Sequence, residues 1–300
     1  GLAPLKPLLA RIDGLKTRED LVAYLPVLHH EQVGNFFFGS GSGQDLGDSS
    51  QVIAFIAAGG LGLPDRDYYT KTDAKSEETR AKYVAYIAQQ LTLAGEPKAT
   101  AEADAAAIMK IETALAKASL TRVERRDPYK EYHKMSVEDL GKLTPSIDWN
   151  RYFVAQNVPG VKSLNVNQPD FQKALQTELT AEPLPALKAY LRFHAITAAA
   201  PSLSKDFDEA QFAFYSKYLR GVQQQQPRWK RCTRHPSSGA AVLGRRFFDL
   251  VLMLEGPGEN RRGLIPRAQH GFADRTGTRV HGAVHHPVAG VVEREQHRLA

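Results

Sequence analysis

Apolar residues recur every three or four positions through most of the first 219 residues, which is the spacing of amphipathic helices. Near the start, Leu5, Leu8 and Ile12 follow this spacing. A second stripe over residues 21–28 begins behind Thr17, a residue type suited to an N-cap. Further helices are predicted over residues 72–94, 98–118, 136–143, 148–156, 170–179, 184–199 and 206–219. The pattern therefore predicts a mainly helical body.

The two longest predicted helices, 72–94 and 98–118, are separated only by Gly95-Glu96-Pro97. Because Gly and Pro end helices, we expect these two to turn back on each other as an antiparallel pair. The residues expected on their buried stripes are Tyr83, Ile87, Leu91, Ile108, Ile111 and Leu115.

A different pattern lies between the second and third predicted helices. Residues 35–43 and 51–58 hold short apolar runs separated by Gly, Ser and Asp, which is typical of strands joined by a turn. The Gly-rich stretch 59–64 then predicts a loop, and residues 161–166 predict one more strand. The expected fold class is mainly α: a helical lobe with a small β hairpin or sheet near residues 35–58.

The composition changes near residue 233. All lysines and all 11 tyrosines precede it, whereas the remainder is rich in Arg, Gly, Pro and His. A shifted reading frame in GC-rich DNA would give this bias, so we expect residues 233–300 to be a frameshift product. The alternative is a genuine Arg/Gly/His-rich tail that is irregular or disordered. The predicted division is thus 1–232 for the body and 233–300 for the tail.

Four segments of the body carry a resemblance to a known family. The longest, directly after an apolar strand, is Leu61-Gly62-Leu63-Pro64-Asp65-Arg66-Asp67-Tyr68-Tyr69. The others are Gly43-Gln44-Asp45 with Asp48-Ser49, Arg126-Asp127-Pro128 followed by Tyr132-His133-Lys134-Met135, and Trp229-Lys230-Arg231-Cys232. In order and spacing they resemble the N-terminal region of the neprilysin and endothelin-converting-enzyme family of zinc metalloendopeptidases.

The resemblance implies a two-lobed enzyme that hydrolyses oligopeptides. In that family a catalytic lobe holds zinc through two His of an H-E-x-x-H helix and a downstream Glu, and a helical lobe closes over it. Residues 1–232 are expected to be part of this substrate-enclosing lobe, with the catalytic domain missing, so the chain alone is predicted to be inactive. In many members of that family the cysteine of the corresponding segment pairs with a cysteine of the catalytic lobe, so the resemblance implies that Cys232, the single cysteine, is unpaired in this chain.

We expect the residues of the family motifs to be structural rather than catalytic. Glycines permit backbone angles closed to other residues, the proline fixes a turn, and tyrosines can bury their rings while their hydroxyls find partners. Arg66 is expected to be held between Asp65 and Asp67 as a bidentate donor. The segment 126–128 is expected to tether a turn, and Trp229 to anchor on the core.

The spacing of the histidines gives no metal site. An H-E-x-x-H helix places two His one turn apart with a Glu between them. The nearest approach starts at His30 and has Gly34 where the second His must stand, and His281 and His285 have no Glu between them. No catalytic, cofactor-binding or metal residue is therefore predicted in this chain, and zinc is expected only in the intact family enzyme.

Isolated polar features are given structural roles. His29 and His30 stand at a predicted helix end and are expected to cap it at the surface, while His133 and His194 are expected to be structural. The stretch Gly39-Ser40-Gly41-Ser42-Gly43 matches neither nucleotide-binding pattern.

The expected partners are the catalytic domain of the intact peptidase and its oligopeptide substrates. Most of the net charge of +6 lies in the tail, so the body has little of the positive charge that nucleic-acid binding requires. No stretch approaches the roughly 18 apolar residues of a membrane span. The resemblance suggests an extracytoplasmic location: periplasmic, secreted or a membrane ectodomain. The alternative function is a non-catalytic helical module that binds peptides or a partner and carries a basic tail.

Overall fold

The computed structural model describes residues 1–31, 33–227 and 230–231. These residues belong to the first of two compact units, Gly1–Leu250, and the second unit is Val251–Ala300. The predictions for the tail, Trp229 and Cys232 lie outside the described residues, as do those for His281 and His285.

The described residues are mainly helical, as predicted. The α-helices are α1 (Lys6–Asp13), α2 (Arg18–Glu31), α3 (Asp67–Thr70), α4 (Ala74–Leu93), α5 (Lys98–Ala118), α6 (Pro128–Glu131), α7 (Val137–Leu143), α8 (Trp149–Ala155), α9 (Pro169–Ala181), α10 (Leu184–Ala199) and α11 (Lys205–Gln211). Three 3-10 turns, Ala3–Leu5, Glu124–Arg126 and Ala200–Ser202, and a π-helix, Phe212–Tyr218, complete the helical part. The predicted bounds of α5 and α10 agree with the structure at both ends.

Side-chain caps explain where several helices begin. Thr17 caps α2, Asp73 caps α4 and Ser136 caps α7. In each case the side-chain oxygen accepts a hydrogen bond from the amide three residues further on, at 3.0 Å. Each cap satisfies a main-chain donor that the first helical turn leaves free. The predicted N-cap at Thr17 is confirmed.

The predicted hairpin is confirmed, and it belongs to a larger sheet. Strands β1 (Phe38–Gln44) and β2 (Val52–Ala58) pair antiparallel. Two further strands, β3 (Lys134–Ser136) and β4 (Ser163–Val166), extend the sheet in the order β1-β2-β4-β3, with β2 and β4 parallel. The strand at β4 was predicted, whereas β3 was not, because three residues are too few to show an alternating pattern.

The antiparallel pair α4 and α5 lies at the centre of the core. Helix α10 packs against both, and α5 also contacts α9. All six residues predicted on the buried stripes have no exposed surface, which confirms that prediction. Full burial of each such side chain contributes about 1.5–3 kcal/mol to folding. Glu112 lies on the same face of α5 and is also fully buried.

The last predicted helix, 206–219, changes its winding midway. After α11 the chain continues as a π-helix over Phe212–Tyr218. Within it, the Tyr215 hydroxyl donates to the Gly62 carbonyl at 2.9 Å. π-helical segments are rare and are often found at functional sites, and the periodicity of apolar residues alone does not reveal them.

His29 does not cap the helix end at the surface, so that prediction is wrong for this residue. Its Nε2 lies 2.9 Å from the Phe36 carbonyl, and its Nδ1 lies 2.8 Å from the Tyr152 hydroxyl. A carbonyl only accepts, so Nε2 donates and Nδ1 accepts from Tyr152. Burial lowers the pKa of His29 to about 4, and the hydrogen bond to Phe36 opposes this shift. The partly buried ring is thus an uncharged bridge near neutral pH, while His30 is exposed.

Candidate functional site

Four donors converge on Glu112 of α5, directly beneath the predicted loop. The Tyr69 hydroxyl lies 2.5 Å from Oε2 and the Tyr83 hydroxyl 2.9 Å from the same oxygen. The Gly62 amide donates to Oε2 at 3.2 Å, and His194 Nε2 lies 2.9 Å from Oε1. A carboxylate can accept about four hydrogen bonds, and this one accepts them from protein groups. The buried acid is therefore fully hydrogen-bonded, as burial requires.

The segment that Glu112 holds, residues 59–63, is here called the glycine loop. It forms no helix or strand, and five side chains, all but the nearby Tyr69 from distant parts of the sequence, bind its main chain. These side chains are Asn35, Tyr69, Glu112, Tyr190 and Tyr215. At its centre the Tyr190 hydroxyl donates to the Gly60 carbonyl at 2.8 Å. The loop is thus held from inside the protein rather than by local turns.

The close approach of these side chains explains two of the glycines. A Cβ on Gly62 would lie 1.8 Å from the Tyr83 hydroxyl oxygen. A Cβ on Gly60 would lie 2.7 Å from the main chain of Phe37, and the φ of Gly60 is +73°. An L side chain rarely adopts this φ, so both positions require glycine.

The tyrosines of the cluster remain protonated donors. Burial, followed by the negative charge of Glu112, raises the pKa of Tyr69 and Tyr83 well above the usual range. Burial likewise raises the pKa of Tyr190 and Tyr215. Because Glu112 is enclosed and its bonds all go to protein groups, the arrangement anchors the loop.

A second carboxylate holds the hairpin turn, defined here as residues 45–51. Asp45 accepts from Lys134 Nζ at 2.7 Å, from the Tyr132 hydroxyl at 2.6 Å and from the Gly47 amide at 2.9 Å. The bond from Lys134, then that from Tyr132, lowers the pKa of Asp45 to about 2. Asp45 therefore links the β1–β2 hairpin to the segment that enters β3.

Comparison with known proteins settles the family. The N-terminal model of peptidase family M13 matches residues 1–249. The chain belongs to peptidase family M13. The resemblance inferred from the four sequence segments is thereby confirmed.

Named relatives of this M13 chain share its sequence at moderate identity. Neprilysin-3 of Drosophila melanogaster is 29% identical over 219 residues, and endothelin-converting enzyme 1 of Rattus norvegicus is 27% identical over 212 residues. Each alignment covers 69% of this chain but only 28% and 27% of the relative. The chain thus spans about a quarter of the length of these curated relatives.

Solved structures share the fold. The Mycobacterium tuberculosis zinc metalloprotease Zmp1, in complex with an inhibitor, matches with a TM-score of 0.74 and 28% identity. The match covers 83% of this chain and 38% of that one. PepO from Lactobacillus rhamnosis matches with a TM-score of 0.65 at 17% identity, which is a likeness of fold alone.

Within this M13 chain, the predicted pairing of Arg66 with its two neighbours is wrong. Asp65 lies 3.7 Å from Arg122, and Asp67 lies 3.1 Å from Lys71. The Arg66 Nε is buried without a hydrogen-bond partner. The reason is geometric, since consecutive side chains entering the short helix α3 point in different directions.

The other residues of that motif segment differ in burial. Leu63 and Tyr69 are buried, and Leu61 and Tyr68 pack partly buried against the core. Pro64 is exposed. A structural role for the segment stays a prediction, and these contacts support it.

The remaining motif segments make local anchors. Asp127 accepts from the Tyr129 amide at 3.0 Å and so caps α6, which begins at Pro128. Arg231 forms a two-pronged ion pair with Asp208 of α11, at 2.6 and 2.7 Å. This geometry ties the last described residues to the helical core.

The described part of the chain does not fit a zinc site. In it, no three side chains of His, Cys, Asp or Glu are grouped so that they could hold a metal ion. None of the helices described is both long enough and apolar enough to cross a bilayer.

Sequence reasoning missed Glu112, Tyr190 and Tyr215. For Glu112 a signal exists, because it lies four residues after Ile108 and three before Leu115, on the apolar stripe of α5. An acid on such a stripe indicates a buried, paired carboxylate. The two tyrosines give no comparable signal, since their loop partners lie 130 and 153 residues away in sequence.

Proposed function

We propose that this chain forms the substrate-enclosing lobe of a zinc metalloendopeptidase that hydrolyses oligopeptides. The observation that carries the proposal is the fold match to the zinc metalloprotease Zmp1 over 83% of the chain. The family match over residues 1–249 supports it. The partner of this lobe is the catalytic domain of the same enzyme, and the compartment is extracytoplasmic, as in the resemblance argued from the sequence.

In this function the residues of the chain shape and hold the lobe rather than carry out the reaction. The glycine loop is tied through Glu112 to α3, α4, α5 and α10, so this part of the lobe moves as one body. A rigid lobe can exclude water and limit the size of the peptide that enters. Zinc in the catalytic domain would supply the activated water that attacks the peptide bond.

A domain exchange tests the proposal. Residues 1–231 would replace the corresponding N-terminal region of Zmp1, and hydrolysis of a short fluorogenic peptide would be measured with and without a chelator. We expect chelator-sensitive hydrolysis by the chimera and none by the present chain alone. The Zmp1 catalytic region without any lobe is the control, and we expect it to lose the preference for short peptides.

Two results would overturn the proposal. One is chelator-sensitive hydrolysis by the 300-residue chain on its own. The other is a folded, zinc-loaded chimera that cleaves long and short peptides equally. Calorimetry of peptides added to the chain alone distinguishes this proposal from the alternative of a non-catalytic peptide-binding module. Such a module would bind the peptides tightly, whereas an isolated lobe should bind them weakly.

A further inference from the structure

A cavity of about 530 Å³ opens beside α3 and is lined by four basic side chains. These are Arg66, Lys71, Arg80 and Lys117, and the hydroxyls of Thr70 and Thr113 lie in the same wall. It is a wide, open cleft rather than an enclosed pocket, and Lys71 and Lys117 at its rim are exposed. The lining contains no acidic side chain.

Most of this positive charge has no carboxylate partner. Only Lys71 is paired, with Asp67 at 3.1 Å. Arg80 donates to two main-chain carbonyls, at 2.7 and 3.0 Å, and these carry no full charge. Within the described residues, no ion pair involves Arg66 or Lys117. Asp65 and Asp73 are also close enough to act on Lys71, so the positive charge left without a carboxylate partner is that of Arg66, Arg80 and Lys117.

The position of Arg66 argues against a merely solvated group of surface cations. Its Nε is shielded from solvent and has no hydrogen-bond partner. An anion in the cavity cannot reach this shielded Nε, but the shielding fixes the guanidinium in place. Among the described residues the two terminal nitrogens of Arg66 bond to no protein group and are not buried, so they are free to meet an acceptor. A guanidinium presents its donors in a planar fork that matches the oxygens of phosphate and carboxylate groups.

We propose that this cavity binds a small oxyanion with two or more negative charges, of the phosphate or polycarboxylate class. Its cations come from the segment 66–71, α4 and α5, so the anion bridges three parts of the chain. Tyr69, whose hydroxyl bonds to Glu112, lies in the same wall. Occupancy thus braces the segment that follows the glycine loop. The inference is independent of the proposed peptidase function.

Thermal unfolding of the full chain with sodium pyrophosphate tests the proposal, with sodium chloride at equal ionic strength as reference. We expect a saturable rise in Tm with pyrophosphate and none with chloride. Citrate, run in parallel, distinguishes polycarboxylate from phosphate: the anion that saturates at the lower concentration identifies the class. A rise that does not saturate, or that chloride reproduces, would overturn the proposal.

Variants locate the binding. Arg66→Gln and Lys117→Gln should each weaken pyrophosphate binding about tenfold, measured by calorimetry, because each removes one charge-assisted contact. Lys117 is exposed, so its variant should fold even if the Arg66 variant does not. Lys173→Gln is the matched control, because Lys173 pairs with Asp170 on α9 and does not line the cavity. Equal affinities for Lys117→Gln and Lys173→Gln would contradict the assignment.

Discussion

Two segments without helix or strand, the glycine loop and the hairpin turn, are each held by a carboxylate, but in different surroundings. Glu112 lies in the core and accepts from an amide, two tyrosines and a histidine. Asp45 accepts from Lys134, whose side chain is 45% exposed, and from Tyr132 at the edge of the sheet. Both carboxylates are buried, with Asp45 1% exposed and Glu112 not exposed, so the difference lies in their partners. The side chains that bond to Glu112 are buried too, whereas the Lys134 partner of Asp45 reaches water and salt.

This difference predicts which changes should weaken each anchor: substitution of a partner or addition of salt. A buried anchor is sensitive to loss of any partner, because the groups left behind cannot turn to water. An anchor that includes an exposed lysine is screened by salt and can be replaced by water. Substitutions should therefore damage the glycine loop more than the hairpin turn, and salt should affect mainly the hairpin turn.

The largest expected effect is that of Glu112→Ala. It leaves four buried donors without an acceptor, each worth about 1–3 kcal/mol, so the loss in unfolding free energy should exceed about 4 kcal/mol. Urea unfolding measures it. Glu102→Ala is the control on the same helix, since the Glu102 side chain is 59% exposed and its loss should stay within about 0.5 kcal/mol. Similar losses for the two variants would refute a buried anchor.

Gly62→Ala tests the close approach of Tyr83 to the glycine loop. The added Cβ meets the hydroxyl oxygen at 1.8 Å, so the loop or the ring must move, at a cost of about 1–3 kcal/mol. Gly141→Ala in α7 is the matched control, because nothing lies within 4 Å of its Cβ. That change should stabilise by up to about 1 kcal/mol. A neutral Gly62→Ala would show that the loop is not held as described.

His29 adds a partly buried group that titrates. Its pKa of about 4 in the folded chain lies below the ordinary 6.5, so the unfolded chain takes up the proton first as the pH falls. Its contribution is fully present above pH 6.5 and is lost towards pH 4, by roughly 3 kcal/mol. His29→Gln should flatten the pH dependence of the urea midpoint in this window, whereas His30→Gln should not. An unchanged slope in His29→Gln would place the ring in solvent.

The smallest expected effect is that of Asp45→Asn at the hairpin turn. The folded pKa of Asp45, about 2, lies below the ordinary 3.8, so its contribution is present above pH 3.8 and lost as the pH falls through 2. The difference in urea midpoint between the variant and the parent should shrink with added salt and vanish near pH 2. Asp170→Asn, at an exposed site on α9, should show no such difference. A gap that persists at pH 2 would mean that Asp45 acts through shape rather than charge.

Local rules explain how much of the fold could be predicted. The stripes of α4 and α5, the stop at Gly95 and the cap at Thr17 each depend on residues within a turn or two, so the sequence shows them directly. Strand β3 could not be predicted, because it forms by pairing with a neighbouring strand. The π-helix could not be predicted either, because its winding depends on packing between aromatic rings.

The candidate site could be predicted only in part. The motif 61–69 pointed to a pinned loop, and Glu112 could have been found from its place on an apolar stripe. Tyr190 and Tyr215 could not, because their contacts join distant segments. The interpretation of Arg66 failed because residues adjacent in sequence were assumed to face one another.

Amide hydrogen exchange at Gly62 and Leu63 tests most directly whether buried side chains fix the glycine loop. Their amides donate to Glu112 and Tyr69, so we predict that they exchange as slowly as the amides of α5. We also predict that Glu112→Gln speeds exchange at these two amides and leaves exchange elsewhere unchanged. The amides of Gly47 and Ser50 in the hairpin turn should exchange faster. Exchange at Gly62 as fast as at Ser50 would contradict the anchor and, with it, the rigid lobe.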